Sequence, residues 1–90
     1  MELNEIRKEL DKIDNELVKL LAKRMSVIPS VAEYKLKNNI PRYQPEREKA
    51  IIERIKTLAT SSNLNPSLAE GIMKLIIADA HRIEEDIMKK

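Results

Sequence analysis

Apolar and near-apolar side chains recur along the first third of the chain at Leu3, Ile6, Leu10, Ile13, Leu17, Leu20, Val27, Val31 and Tyr34. The steps are mostly three or four residues, which places them on one stripe of an α-helix. Lys8, Glu9, Asp11, Lys12, Glu16, Lys19 and Lys23 fill the other faces. The pattern predicts a helix from about residue 4 to residue 38. Asn38-Asn39-Ile40-Pro41 closes it, because Asn tolerates a left-handed C-terminal position and proline cannot continue the ladder. Pro29 lies inside this helix, with no N–H for the carbonyl of Met25 and a ring that crowds that turn. The stripe keeps its phase across Pro29, so a kinked but continuous helix is expected.

A second helix is expected from Pro45, whose missing N–H is no loss in a first turn. Glu46 and Glu48 lie in that turn, where the helix dipole favours negative charge. Its stripe is Ile51, Ile52, Ile55, Leu58 and Ala59, and residues 60–65 read as a loop. Asn65 is the expected cap of a third helix that begins at Pro66. This helix carries Leu68, Ala69, Ile72, Met73, Ile76, Ile77, Ala80, Ile83 and Ile87 on one broad face. No segment alternates as a strand does, so the reading is all-α, one domain over residues 1–90.

Composition narrows the chemistry. The 90 residues are 42% hydrophobic and 36% charged, with no Cys, Phe or Trp and a single His and Gly. That excludes disulfides and thiolate metal sites, argues against a His-based zinc or hydrolase centre, and removes the glycine-rich phosphate cradles. The net charge of +2 comes from 17 basic and 15 acidic residues that are well mixed. No nucleic-acid partner is expected, since a binding face needs clustered basic charge. No apolar run approaches the ~20 residues that span a bilayer, and the opening MELNEIRKEL has no signal-peptide core. No membrane partner and a cytoplasmic location are therefore expected.

Helix length points to more than one chain. Thirty-five helical residues extend ~52 Å, whereas a compact globule of this size is roughly 30 Å across. A continuous first helix would overhang a monomer and leave part of its stripe in water, and a second copy would cover it. The alternative is a break at Pro29 and a monomeric bundle.

Charged residues also fall on the apolar stripes. Arg24 lies between Leu20 and Val27, and Lys35, eleven residues later, is only ~20° off in phase. Glu48 extends the second stripe backward, and Glu84 continues the third after Ile77 and Ala80. Isolated charges in an apolar interior are costly unless paired. Four of them converging from three helices suggest either interhelical ion pairs or a polar cavity inside a bundle. The cations point to an anionic ligand, a carboxylate, for which Arg offers a fork of donors. Arg7 is ~42 Å from Lys35 along a continuous helix, so it reaches the same cavity only if the helix folds back or if a partner copy in an antiparallel dimer supplies it.

The run I-R-K-E-L-D-K-I-D-N-E-L-V-K-L-L-A-K-R at positions 6–24, Lys35, P-E-R-E-K at 45–49, L-I-I-A-D at 75–79 and Glu84 together resemble the all-helical chorismate mutases over nearly the whole chain. The resemblance implies an intertwined homodimer of three-helix protomers that converts chorismate to prephenate on the route to Phe and Tyr. It implies that Arg24 and the partner subunit's Arg7 hold the substrate carboxylates, that Lys35 reaches a carboxylate and the ether oxygen, and that Arg47 balances charge. Glu48 would take the ring hydroxyl, and Glu84 would donate a second hydrogen bond to the ether oxygen. Gln44 stands where relatives often have an acidic residue, Ala80 where a carboxylate-binding Ser is common, and Pro29 in place of an ordinary helix former.

The implied reaction is a pericyclic rearrangement that needs no nucleophile, metal or cofactor. The protein would hold the flexible arm over the ring and stabilise charge growing on the ether oxygen. Glu84 can donate there only when protonated, so activity is expected to fall as it ionises. Rival readings are an isochorismate pyruvate-lyase on the same fold and a non-catalytic helical dimerisation module. Ninety residues leave no room for a fused dehydratase, dehydrogenase or regulatory domain, so such control is expected from another chain. Tyr34 is expected to pack with its hydroxyl near the surface, Tyr43 to lie in the loop before the second helix, His81 to face solvent, and Gly71 to allow close helix contact.

Overall fold

The computed structural model describes residues 1–89 as three helices joined by two short connections: α1 (Leu3–Lys37), α2 (Pro45–Ser61) and α3 (Pro66–Met88). α1 runs unbroken through Pro29. The longest dimension of the molecule is 55 Å, close to the ~52 Å of 35 residues at 1.5 Å each, so the helix does not fold back on itself. The expected ends hold to within a residue or two, and α2 takes in Thr60 and Ser61, which the sequence pattern assigns to the loop.

α1 and α2 stop in the same way. Asn39 and Asn63 adopt left-handed backbone, with φ of 54° and 57°. The next amide in each case turns back: Ile40 N donates to Lys35 O at 2.9 Å, and Leu64 N to Ala59 O at 2.8 Å. Both bonds satisfy carbonyls that a helix end leaves open. At the start of α3 the Asn65 side chain accepts from Ser67 N at 2.9 Å, with Pro66 in the first turn.

The helices lie side by side in one layer. α3 packs against both α1 and α2, whose backbones do not come close to each other among the described residues. The molecule measures 55 × 24 × 14 Å with a radius of gyration of 16.4 Å, against ~12 Å for a compact chain of this length. Such a layer has little interior, and its buried apolar residues are the small Ala32, Ala59, Ala69 and Ala80 together with Ile51. Alanines let helix axes approach closely, which matters where a cavity must be lined by long polar side chains. Lys56 of α2 reaches Glu70 of α3 at 3.6 Å, and Lys74 holds the other Glu70 oxygen at 2.9 Å. The Lys74 hydrogen bond keeps the Glu70 carboxyl below its ordinary range.

Residues 1–20 are exposed throughout. Leu10, Leu17 and Leu20 are 53%, 52% and 64% accessible, although full burial of such a side chain is worth ~1.5–3 kcal/mol. The stripe read from the sequence is present, but in the single chain nothing covers its N-terminal half. Tyr34, expected to pack, lies on the same uncovered side and is exposed. A methyl group placed on the Gly71 Cα would meet no neighbouring atom within 4 Å, so the close helix contact expected there is absent within the chain. Because the site is open and helical, Gly71→Ala is expected to stabilise the fold by ~0.5–1 kcal/mol. Urea denaturation followed by circular dichroism checks this, and an unchanged or lower midpoint would contradict it.

Candidate functional site

α3 forms the floor of a cavity of about 140 Å³, α1 and α2 form its walls, and the connection between them closes one end. Ile77, Ala80, His81 and Glu84 come from α3; Arg24, Ile28, Val31 and Lys35 from α1; Arg47, Glu48 and Ile51 from α2; Arg42 and Gln44 from the connection. The structure thus brings together Arg24, Lys35, Gln44, Arg47, Glu48, Ala80 and Glu84, seven of the eight residues singled out in the sequence. Arg7 is separate. It sits 17 residues before Arg24 on an unbroken helix, ~26 Å away, and is exposed.

The central contact is an ion pair. Lys35 Nζ donates to Glu84 Oε1 at 2.7 Å and to the carbonyl of Arg42 at 2.7 Å. An ammonium has three N–H groups, so one is left for a ligand. Glu84 is the buried charged residue among those described, at 5% exposure. Ala80, one turn earlier on α3, is also buried.

A second set of contacts runs beside the first. Arg42 Nη1 lies 2.6 Å from His81 Nδ1, and His81 Nε2 lies 2.6 Å from Glu48 Oε2. Arg42 also reaches Glu85 at 3.3 Å, and Tyr43 meets the His81 ring edge-on with centroids 6.0 Å apart. His81, expected to face solvent, is therefore half-buried in the cavity wall. Its phase carried the signal: residue 81 follows Ile77 by four and precedes Glu84 by three, so it shares their face. Arg42 was not legible, because it lies between Pro41 and Pro45, where no helical period applies.

Arg24 differs from the other cations. Its Nη1 is buried and has no hydrogen-bond partner. A buried guanidinium N–H without an acceptor costs ~1–3 kcal/mol or more, and an anion in the cavity would remove that cost. Four cations (Arg24, Lys35, Arg42, Arg47) and two carboxylates (Glu48, Glu84) line the space, leaving two surplus positive charges. With its apolar patches of Ile28, Val31, Ile51 and Ile77, the cavity suits a small molecule that carries two negative charges and a hydrocarbon body.

Fold and cavity together define an all-α protein with a cation-rich cavity shared among three helices. The chain belongs to the chorismate mutase type II family, which it matches over residues 6–85. It is 36% identical over 88 residues to the chorismate mutase of Methanocaldococcus jannaschii, covering 98% of this chain and 89% of that protein. It is 35% identical over 89 residues to the bifunctional chorismate mutase/prephenate dehydratase of Buchnera aphidicola subsp. Schizaphis graminum, matching 99% of this chain but 23% of that longer protein. The 4-amino-4-deoxychorismate mutase of Streptomyces venezuelae is 28% identical over 89 residues, covering 99% of this chain and 86% of that protein.

The ion pair makes a stability prediction. Lys35→Ala leaves Glu84 buried without its cation, and is expected to lower stability by ~1–3 kcal/mol at neutral pH while the helices still form. Urea denaturation midpoints at neutral pH check this; an unchanged midpoint would contradict it.

Proposed function

We propose that the chain catalyses the [3,3] rearrangement of chorismate to prephenate, an isomerase reaction of Phe and Tyr biosynthesis that proceeds without metal or cofactor. The observation that carries this reading is the buried, unpartnered Arg24 Nη1 in a cavity with two surplus positive charges, in a chain of the chorismate mutase type II family. Chorismate is a dicarboxylate with an apolar ring and so matches that cavity in charge and character. The isochorismate pyruvate-lyase and the non-catalytic module are not favoured, since the related proteins named above are mutases.

The roles are those the family resemblance implies, and the placement of these residues around one cavity supports them. Arg24 holds one carboxylate. Lys35 presents its remaining N–H to the ether oxygen, and Glu84, 2.7 Å from Lys35, supplies a second donor to the same atom when it carries a proton. Two donors on the ether oxygen stabilise the charge that builds there as the C–O bond breaks. Glu48 accepts from the ring hydroxyl, Arg47 balances charge, and Gln44 and Ala80 shape the wall and floor. Walls that hold both ends of the substrate also keep its arm over the ring, so that little ordering remains for the reaction step.

The site is completed in a homodimer. In this arrangement the N-terminal half of α1 lies on a second copy, its exposed stripe is covered, and the partner subunit's Arg7 reaches the second carboxylate. The uncovered leucines of residues 1–20 and the ~26 Å between Arg7 and Arg24 support this reading. One domain spans the chain.

Purified protein is expected to consume chorismate and form prephenate. Release of pyruvate from isochorismate with no loss of chorismate would overturn the assignment. Glu84→Gln, whose amide can donate to the ether oxygen, should keep more activity than Glu84→Ala; equal activity of the two variants would remove Glu84 from the mechanism. The dimer is tested by mixing. Arg7→Ala and Lys35→Ala should each be nearly inactive, yet equal amounts, denatured and refolded together, should recover about a quarter of the parent activity. That recovery arises because half the dimers then carry one intact site of two. No recovery on mixing would place Arg7 outside the site.

A further inference from the structure

Arg42 and His81 are not among the residues given a role above, yet they are bonded into the cavity wall. A guanidinium has five N–H groups and no acceptor. The 2.6 Å contact from Arg42 Nη1 to His81 Nδ1 therefore requires a lone pair on Nδ1. The ring is then neutral with its proton on Nε2, and Nε2–H donates to Glu48 Oε2 at 2.6 Å. Arg42 in turn is held by Glu85, 3.3 Å from its Nη2, and its carbonyl accepts from Lys35. The tautomer of His81 is thus set by a residue of the connection, and the orientation of Glu48 is set by that tautomer. One Glu48 oxygen is committed to His81, and Oε1 makes no hydrogen bond among the described residues.

We propose that His81 is a positioning residue: held as the neutral Nε2–H tautomer by Arg42, it clamps Glu48 so that a single carboxylate oxygen is offered to the hydrogen-donating ring substituent of the substrate. The proposal rests on the reading of this cavity as the chorismate site. It adds a specificity element at the hydroxyl end, away from the breaking bond. Removing the clamp lets Glu48 turn toward solvent or toward Arg42, so the ring hydroxyl meets a mobile acceptor.

His81 is the only histidine of the chain, so its ring nitrogens can be assigned without ambiguity in a ¹H–¹⁵N spectrum of labelled full-length protein. The expected signature is an unprotonated Nδ1 and a slowly exchanging Nε2–H that disappears in Glu48→Ala. A protonated Nδ1 at neutral pH, or an Nε2–H indifferent to Glu48→Ala, would overturn the proposal whatever the protein catalyses. In kinetics, His81→Leu is expected to lower kcat/KM for chorismate about tenfold, as for loss of a hydrogen bond to a charged group, with most of the change in KM. His81→Gln, whose amide offers one acceptor and one donor, should recover most of the loss. A merely structural role would instead reduce the active fraction and hence kcat, with KM unmoved. An active parent with His81→Leu unchanged, or with His81→Gln no better than His81→Leu, would overturn the clamp alone. An inactive parent would overturn the chorismate reading on which its catalytic part rests, with the spectrum still reporting the tautomer.

Discussion

The Lys35–Glu84 ion pair is the constraint around which the molecule is arranged. Burying two charges is costly, and their attraction offsets that only with good geometry and further hydrogen bonds. The chain meets both conditions by bringing three segments to one point. α1 supplies the ammonium, α3 supplies the carboxylate, and the turn after α1 supplies the carbonyl of Arg42. That turn is set by the left-handed Asn39 and the Ile40 amide that bonds back to Lys35 O. The end of α1 and the start of the site are therefore one feature.

Around that pair Arg42 is met by Glu85, while Arg24 and Arg47 have no carboxylate partner among the described residues. Arg24 is the clearest case, because no acceptor of the chain meets its buried Nη1. A buried cation in that position is unfavourable on its own, and a dianion relieves it. Binding energy and charge stabilisation then come from the same groups, which suits a reaction whose main demands are orientation and a stabilised oxygen. The flat, one-layer arrangement fits the same logic. A protomer with five small or medium buried apolar residues has spent its length on a 35-residue helix, and the proposed second copy gives that length a purpose in both packing and site.

Much of this is legible in the residues. The period of three and four marks out the helices, and asparagine and proline mark their ends. Charges on apolar stripes point to four cavity residues, Arg24, Lys35, Glu48 and Glu84, because a helical phase converts directly into a face, whereas Gln44, Arg47 and Ala80 come from the family resemblance alone. Legibility fails where phase is undefined or is read too narrowly. Arg42 belongs to a connection, so its place depends on how two helices pack. His81 lies one position beside Ala80 and on that count alone faces solvent, although its spacing to Ile77 and Glu84 puts it on the floor. Exposure of Tyr34 is hidden for another reason: a stripe states which face is apolar, not which neighbour covers it. Pro29 proves compatible with a continuous helix, since one missing hydrogen bond does not outweigh the bonds on either side.

Calorimetric titration with a bicyclic dicarboxylate that mimics the rearranging substrate tests the doubly cationic cavity most directly. One molecule should bind per chain, at least about tenfold more tightly than its monoester, and Arg24→Ala should abolish the difference. A dicarboxylate that binds no better than the monoester, or that is indifferent to Arg24→Ala, would contradict it.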